Sequence, residues 1–95
     1  MITTKQRGFL RGLANKLEPV VLIGKGQVTE EVVESVDQVL EKRELIKVKI
    51  QENAYLDTKE TAQKIVALLN ADIVQCIGSK FVLYRKSKTN SKNLI

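Results

Sequence analysis

The chain has 95 residues, 43% of them hydrophobic and 28% charged, with a net charge of +5; that is long enough for one hydrophobic core and too short for two. It contains no histidine and a single cysteine, Cys76, which excludes zinc sites of the usual Cys/His kind, a disulfide framework and Ser/His/Asp or Cys/His catalytic sets within the chain. No apolar run approaches the roughly 20 residues that a membrane-spanning helix needs, and Met1-Ile2-Thr3-Thr4-Lys5 lacks a signal-peptide core, so the expectation is a cytoplasmic protein with no membrane partner, no cofactor, no metal and no small-molecule substrate.

From the N-terminus, Thr3 with Gln6 three residues on matches a capping box. Phe9, Leu10, Leu13, Ala14 and Leu17 then share one helical face, which predicts a first helix from about Thr4 to Lys16. On a helical wheel Lys5 and Lys16 border this apolar stripe on one side and Arg7 and Arg11 on the other, with Gly8, Gly12 and Asn15 between them on the exposed side. After Pro19 the β-branched run Val20 to Ile23 predicts a short strand. Gly24-Lys25-Gly26-Gln27 leads from it into a second helix capped by Thr29, with Glu30 and Glu31 in the first turn as the helix dipole favours. Val32, Val33, Val36, Val39 and Leu40 carry that helix to about Arg43 and leave Glu34, Asp37, Gln38 and Glu41 outside.

Leu45 to Gln51 alternates, Ile46, Val48 and Ile50 pointing one way and Lys47 and Lys49 the other, as in a half-buried strand. Asn53 to Asp57 reads as a loop containing Tyr55. Asp57 or Thr58 caps a third helix with core residues Ala62, Ile65, Val66, Leu68 and Leu69, ended by Asn70 and Ala71. Asp72 to Ile77 and Lys80 to Arg85 are strands joined by Gly78-Ser79 as a two-residue II′ hairpin, with Cys76 read as a small core residue. Phe9 and Phe81 are assigned to the core, which leaves Tyr55 and Tyr84 as candidates for stacking on bases; both are expected to pack instead. The domain is expected to span residues 1–86, and the polar stretch 87–95 to form a flexible basic tail. The order α-β-α-β-α-β-β thus describes an α/β domain with a four-stranded mixed sheet, two parallel crossovers and one closing antiparallel hairpin.

Two glycines and a lysine between a strand and a helix N-terminus suit an anion. Glycine permits positive φ and close approach, free N–H groups and the helix dipole attract negative charge, and Lys25 adds a mobile cation. The same spacing also occurs in ordinary turns, and it matches neither the P-loop nor the dinucleotide fingerprint. Charge is segregated along the chain: residues 1–29 sum to +4, residues 30–45 to −4 and residues 46–95 to +5. One surface can therefore suit a polyanion while the acidic helix faces away.

The stretch Thr4-Lys5-Gln6-Arg7-Gly8-Phe9-Leu10-Arg11-Gly12-Leu13-Ala14-Asn15-Lys16-Leu17-Glu18-Pro19-Val20, followed by Ile23-Gly24-Lys25-Gly26, resembles the CRM domain (chloroplast RNA splicing and ribosome maturation), and in particular its bacterial single-domain YhbY-like members. The likeness continues through Asn70 to Cys76-Ile77-Gly78 and Val82-Leu83-Tyr84-Arg85, and so covers nearly all of the chain except the tail. It implies a compact α/β fold similar to the C-terminal domain of bacterial initiation factor 3. It also implies RNA binding, with bacterial members associated with precursor large ribosomal subunits and plant members with group II intron splicing. The family loop is usually Gly-x-x-Gly, comparable to the backbone-clamping loop of KH domains. Gly24, Lys25 and Gly26 fit it by position, whereas Gln27 stands where the family usually has glycine.

These readings converge on a monomeric domain that binds structured RNA, specifically ribosomal RNA of the precursor large subunit, and catalyses nothing. Gly24, Lys25, Gly26 and Gln27 would hold the RNA backbone, and Lys5, Arg7, Arg11 and Lys16 would extend the contact. Lys47, Lys49 and Arg85 join them if the strand faces lie beside the loop. The alternative is a protein-interaction module whose basic surface docks on an acidic protein partner. A carboxylate-based enzyme such as a metal-dependent nuclease would need acids clustered in a cleft, and the acids here concentrate on one exposed helix face.

Overall fold

The computed structural model describes residues 2–24, 28–52, 56–89, 91–92 and 94–95; Lys25, Gly26, Gln27 and Tyr55 lie outside the described residues. The elements follow the predicted order: α1 (Thr4–Ala14), β1 (Pro19–Ile23), α2 (Glu30–Arg43), β2 (Leu45–Ile50), α3 (Thr58–Leu69), β3 (Asp72–Ile77) and β4 (Lys80–Tyr84). Their boundaries follow from local chemistry. The α1 capping box is complete, with Thr3 N–H donating to Gln6 Oε1 at 2.9 Å and Gln6 N–H to Thr3 Oγ1 at 3.1 Å. Thr29 caps α2 by accepting from Val32 N–H, and Asp57 caps α3 by accepting from Glu60 N–H. The neighbouring Thr58 hydroxyl instead donates to Gly78 O at 2.8 Å, tying the start of α3 to the hairpin. Gly78 takes φ +58°, while Glu44 and Asn70 are the non-glycine residues with positive φ among those described, so the turn has the pattern of a II′ hairpin with glycine first.

The sheet order is β1-β2-β4-β3. β1 runs parallel to β2, and β4 is antiparallel to both β2 and β3. Both helical crossovers therefore link parallel strands, the second one skipping over β4. Alternation divides the apolar side chains between two faces. Ile46, Val48 and Ile50 of β2 join Ile23, Phe81 and Leu83 and pack under Val36, Leu40, Ala62 and Ile65 of α2 and α3. Leu45, Val74, Val82 and Tyr84 point the other way and meet Leu10 and Ala14 of α1. The result is three layers, with α1 alone on one side.

Several expectations change here. Only Leu10 and Ala14 of the α1 stripe are buried; Phe9 is 55% exposed and Leu13 is also exposed. β1 enters the sheet only at Pro19, opposite Lys47, so the first half of β2 has no neighbour on that side and one flank of α1 overhangs the sheet. Cys76 is exposed at the hairpin end of an edge strand rather than in the core. What burial its thiol has raises its pKa, the opposite of an activated nucleophile.

Described residues of the stretch after β4 are hydrogen-bonded to the end of α2. Ser87 is buried, and its N–H donates to Glu44 Oε2 at 2.6 Å while Lys92 N–H donates to Glu44 Oε1 at 2.7 Å. Glu41 Oε2 accepts from the Ser87 hydroxyl, the Lys88 N–H and both the N–H and hydroxyl of Thr89. Two carboxylates at the end of α2 thus gather the polar segment, a use that charge composition alone does not announce. Glu44 holds φ 66°, ψ −45° while 1% exposed, a strained position stabilised by these bonds. Removing its carboxylate in Glu44→Ala takes away the acceptor of the Ser87 and Lys92 N–H groups and is expected to cost about 1–3 kcal/mol in chemical denaturation.

The bonds from Thr89 and Ser87 hold the Glu41 carboxyl down at about 2. Because the folded pKa is depressed, the contribution of these bonds is fully present above the ordinary carboxylate range and lost as pH falls through it towards 2. Lys88 and Thr89 amide signals in NMR spectra should therefore shift between about pH 4.5 and 2, and Glu41→Gln should abolish that titration.

Candidate nucleic-acid interface

Lys47 and Lys49 emerge on the α1 face of the sheet because they alternate with Ile46, Val48 and Ile50. Register then builds a row across all four strands. Leu22 pairs with Lys49, Lys49 with Lys80, and Lys80 with Ile77. Leu22 is 54% and Ile77 61% exposed, so the row carries two cations flanked by two bare aliphatic side chains. Like charges directly opposite one another destabilise a sheet, and among the described residues neither lysine has a carboxylate partner. Lys47 lies one row further back, opposite Val82. Glu52 stands near Lys49 at the rim of a hollow that Leu22 and Gln51 also line.

This row ends beside Gly24. Gly24 follows Ile23 directly, and Gln51 N–H donates to Ile23 O at 2.9 Å, fixing the point where the chain leaves β1 next to the end of β2. Gly24 has no positive φ, and a Cβ there would meet Gln51 Oε1 at an ordinary 3.5 Å. Its backbone conformation therefore does not require glycine. The N-terminal ends of α2 and α3 lie at this same end of the sheet, since both helices follow strands that end there.

The bases of α1 divide by flank. Arg7 Nε donates to Ile73 O of β3 at 3.2 Å, so that side of the helix faces the β3 edge, and Arg11 continues it, exposed. Lys5 and Lys16, with Phe9 and Leu13, occupy the opposite flank, which helical spacing turns towards β1. Lys5, Arg11 and Lys16 are exposed. Lys5, Arg7, Arg11, Lys16, Lys47 and Lys49 therefore share one face with Gly24 at its margin, as does Lys80, which the sequence reading did not select. The acids Glu30, Glu31 and Glu34 ride on α2, behind the sheet.

Arg85 does not belong to this face. Phe81, Leu83 and Arg85 alternate towards α2 and α3, and the guanidinium is 19% exposed. Its Nη1 bonds Asp37 Oδ1 at 2.7 Å and Leu69 O at 3.1 Å, and its Nη2 bonds Asp37 O at 3.1 Å. It is a clamp joining the middle of α2 to the end of α3, on the opposite face from the other candidate bases. Tyr84 is buried as expected, and burial raises its hydroxyl pKa, with Glu44 and Asp72 adding to the effect. Among the described residues, Phe9 is the aromatic side chain that sequence reasoning misplaced.

A family model for the CRS1 / YhbY (CRM) domain matches residues 2–85. The chain belongs to the CRM domain family. Among CRM relatives it is 39% identical over 92 residues to "Probable RNA-binding protein YqeI" of Bacillus subtilis, covering 97% of this chain and 96% of that one. It is 43% identical over 88 residues to "RNA-binding protein" of Haemophilus influenzae, covering 92% and 88% respectively. The solution structure of the hypothetical protein SAV1595 from Staphylococcus aureus superposes with a TM-score of 0.82 at 42% identity over 97% of this chain and 96% of that one. The α/β fold of three helices on a four-stranded mixed sheet is thus shared with a solved structure of close sequence.

The Lys49–Lys80 pair makes a stability prediction specific to this CRM domain. Lys80→Glu replaces a like-charge cross-strand pair with an opposite one and should raise the unfolding free energy by roughly 0.2–1 kcal/mol, as read in urea denaturation. Lys80→Glu in a Lys49→Ala background should give a smaller gain.

Proposed function

We propose that this protein binds structured RNA, the ribosomal RNA of the precursor large subunit, as a cytoplasmic monomer that acts by binding alone. The observation that carries this reading is the separation of charge by the sheet: lysines and arginines of α1, β2 and β4, exposed or half-buried, lie on one side, and the acidic surface of α2 lies on the other. The family and the relatives named as RNA-binding proteins support RNA as the polyanion. Phosphates would be held by Lys5, Arg11, Lys16, Lys47, Lys49 and Lys80, while Arg7 stays tied to β3. Gly24 stands at the margin of this face, and Lys25, Gly26 and Gln27, which follow it in sequence, would add backbone amides. Contacts of this kind position RNA without reading its sequence, so RNA shape supplies much of the selectivity.

Anisotropy titrations of large-subunit ribosomal RNA fragments against salt test the reading. Log affinity should fall linearly with log salt, and Lys16→Ala and Lys49→Ala should each reduce the magnitude of that slope by about 1. Glu34→Lys on the opposite face should weaken nothing. Gly24→Ala should melt like the wild type yet bind less tightly, because within the protein the new Cβ makes only an ordinary contact with Gln51 Oε1, while it stands in the way of a closely approaching RNA backbone. A purified protein with no affinity for any such fragment at low salt would refute the proposal and favour an acidic protein as the partner of the basic face.

A further inference from the structure

Between the end of α1 and strands β4 and β3, the open face of the sheet holds a hollow of about 180 Å³. That is below the roughly 300–1,000 Å³ of pockets for drug-sized ligands and leaves room for one flat heterocycle. Its apolar lining comes from Ala14, Ile77 and Val82, and its polar lining from Asn15, Gln75 and the two lysines Lys47 and Lys80. Asn15 is set in place as the C-cap of α1. Gln75 is aimed there by an irregularity in β3, where the register jumps from Ile73↔Leu83 to Gln75↔Val82. In a regular strand Gln75 would share the face of Ile73, which packs against the α2/α3 core. The extra residue instead buries Val74 beneath α1 and turns Gln75 onto the hollow, the re-aiming that β-bulges perform. Among the described residues neither side-chain amide has a hydrogen-bond partner.

We propose that this hollow receives a single unstacked nucleobase of single-stranded RNA, a contact that rests on the RNA-binding reading and adds base recognition to it. A primary amide offers two donors and an acceptor, so Asn15 and Gln75 suit the mixed donor and acceptor edge of a splayed-out base. Ile77 and Val82 provide aliphatic surface for its face. Lys47 and Lys80 stand at the same hollow for the adjoining phosphates, and among the described residues no carboxylate lines it.

The test uses the full ¹⁵N-labelled chain titrated at low salt with single-stranded tetraribonucleotides of each base in turn, with binding of large-subunit ribosomal RNA measured separately by filter retention. One tetranucleotide should bind preferentially and shift the side-chain NH2 signals of Asn15 and Gln75. Gln75→Ala and the shape-conserving Gln75→Glu should each weaken that tetranucleotide about tenfold and level the base preference, while Lys16→Ala weakens all four alike. If the two NH2 signals stay still while signals of α1 move, the hollow is not a base site and the RNA-binding reading stands. If neither tetranucleotides nor ribosomal RNA bind, that reading fails and takes the base site with it.

Discussion

The unequal covering of the two faces of the sheet is the constraint on which the rest of the molecule depends. Two helices, α2 and α3, bury one face beneath Val36, Leu40, Ala62 and Ile65. On the other face a single eleven-residue helix contributes only Leu10 and Ala14 to the core. Strand alternation forces every second residue of β2 and β4 onto that thinly covered side, and there the chain places Lys47, Lys49 and Lys80. A like-charge pair in direct register works against folding. Its presence beside bare Leu22 and Ile77 makes sense when the surface is completed by a ligand that is anionic and partly apolar. Nucleic acid has both properties.

The opposite end of the molecule is closed by carboxylates. Arg85 joins the middle of α2 to the end of α3 through Asp37 and Leu69, and Glu41 and Glu44 collect backbone N–H groups of the last segment. Acids that composition alone would assign to a solvated helix face therefore include two that organise the chain's end. This leaves Gly24, the hairpin turn and the N-terminal ends of α2 and α3 together at the other end, beside the basic row. The carboxylate cluster and the Lys49–Lys80 row are thus held at different ends of one small sheet.

Much of this was legible in the sequence because it rests on local rules. Thr3 with Gln6, Thr29, Asp57 and the Gly78-Ser79 turn each act within a few residues, and the alternation through Ile46 to Ile50 fixed which way Lys47 and Lys49 point. What escaped depends on neighbours distant in sequence. Phe9 fits the helical stripe, but β1 joins the sheet too late to support its flank. Arg85 reads as one more base until Phe81 and Leu83 show that its alternation leads to Asp37. Lys80 gains meaning only through register with Lys49, and Gln75 only through the bulge that turns it over. No periodicity within one segment reports a register between two.

The central claim is that RNA meets the α1 face and leaves the α2 face free. Amide hydrogen exchange of the protein, alone and saturated with a large-subunit ribosomal RNA fragment, tests it most directly. Added protection should fall on α1, on the ends of β1 and β2 around Gly24 and Gln51, and on the hairpin turn, with α2 unchanged. Protection concentrated on Glu30 to Arg43, with α1 and the hairpin unaffected, would contradict the account.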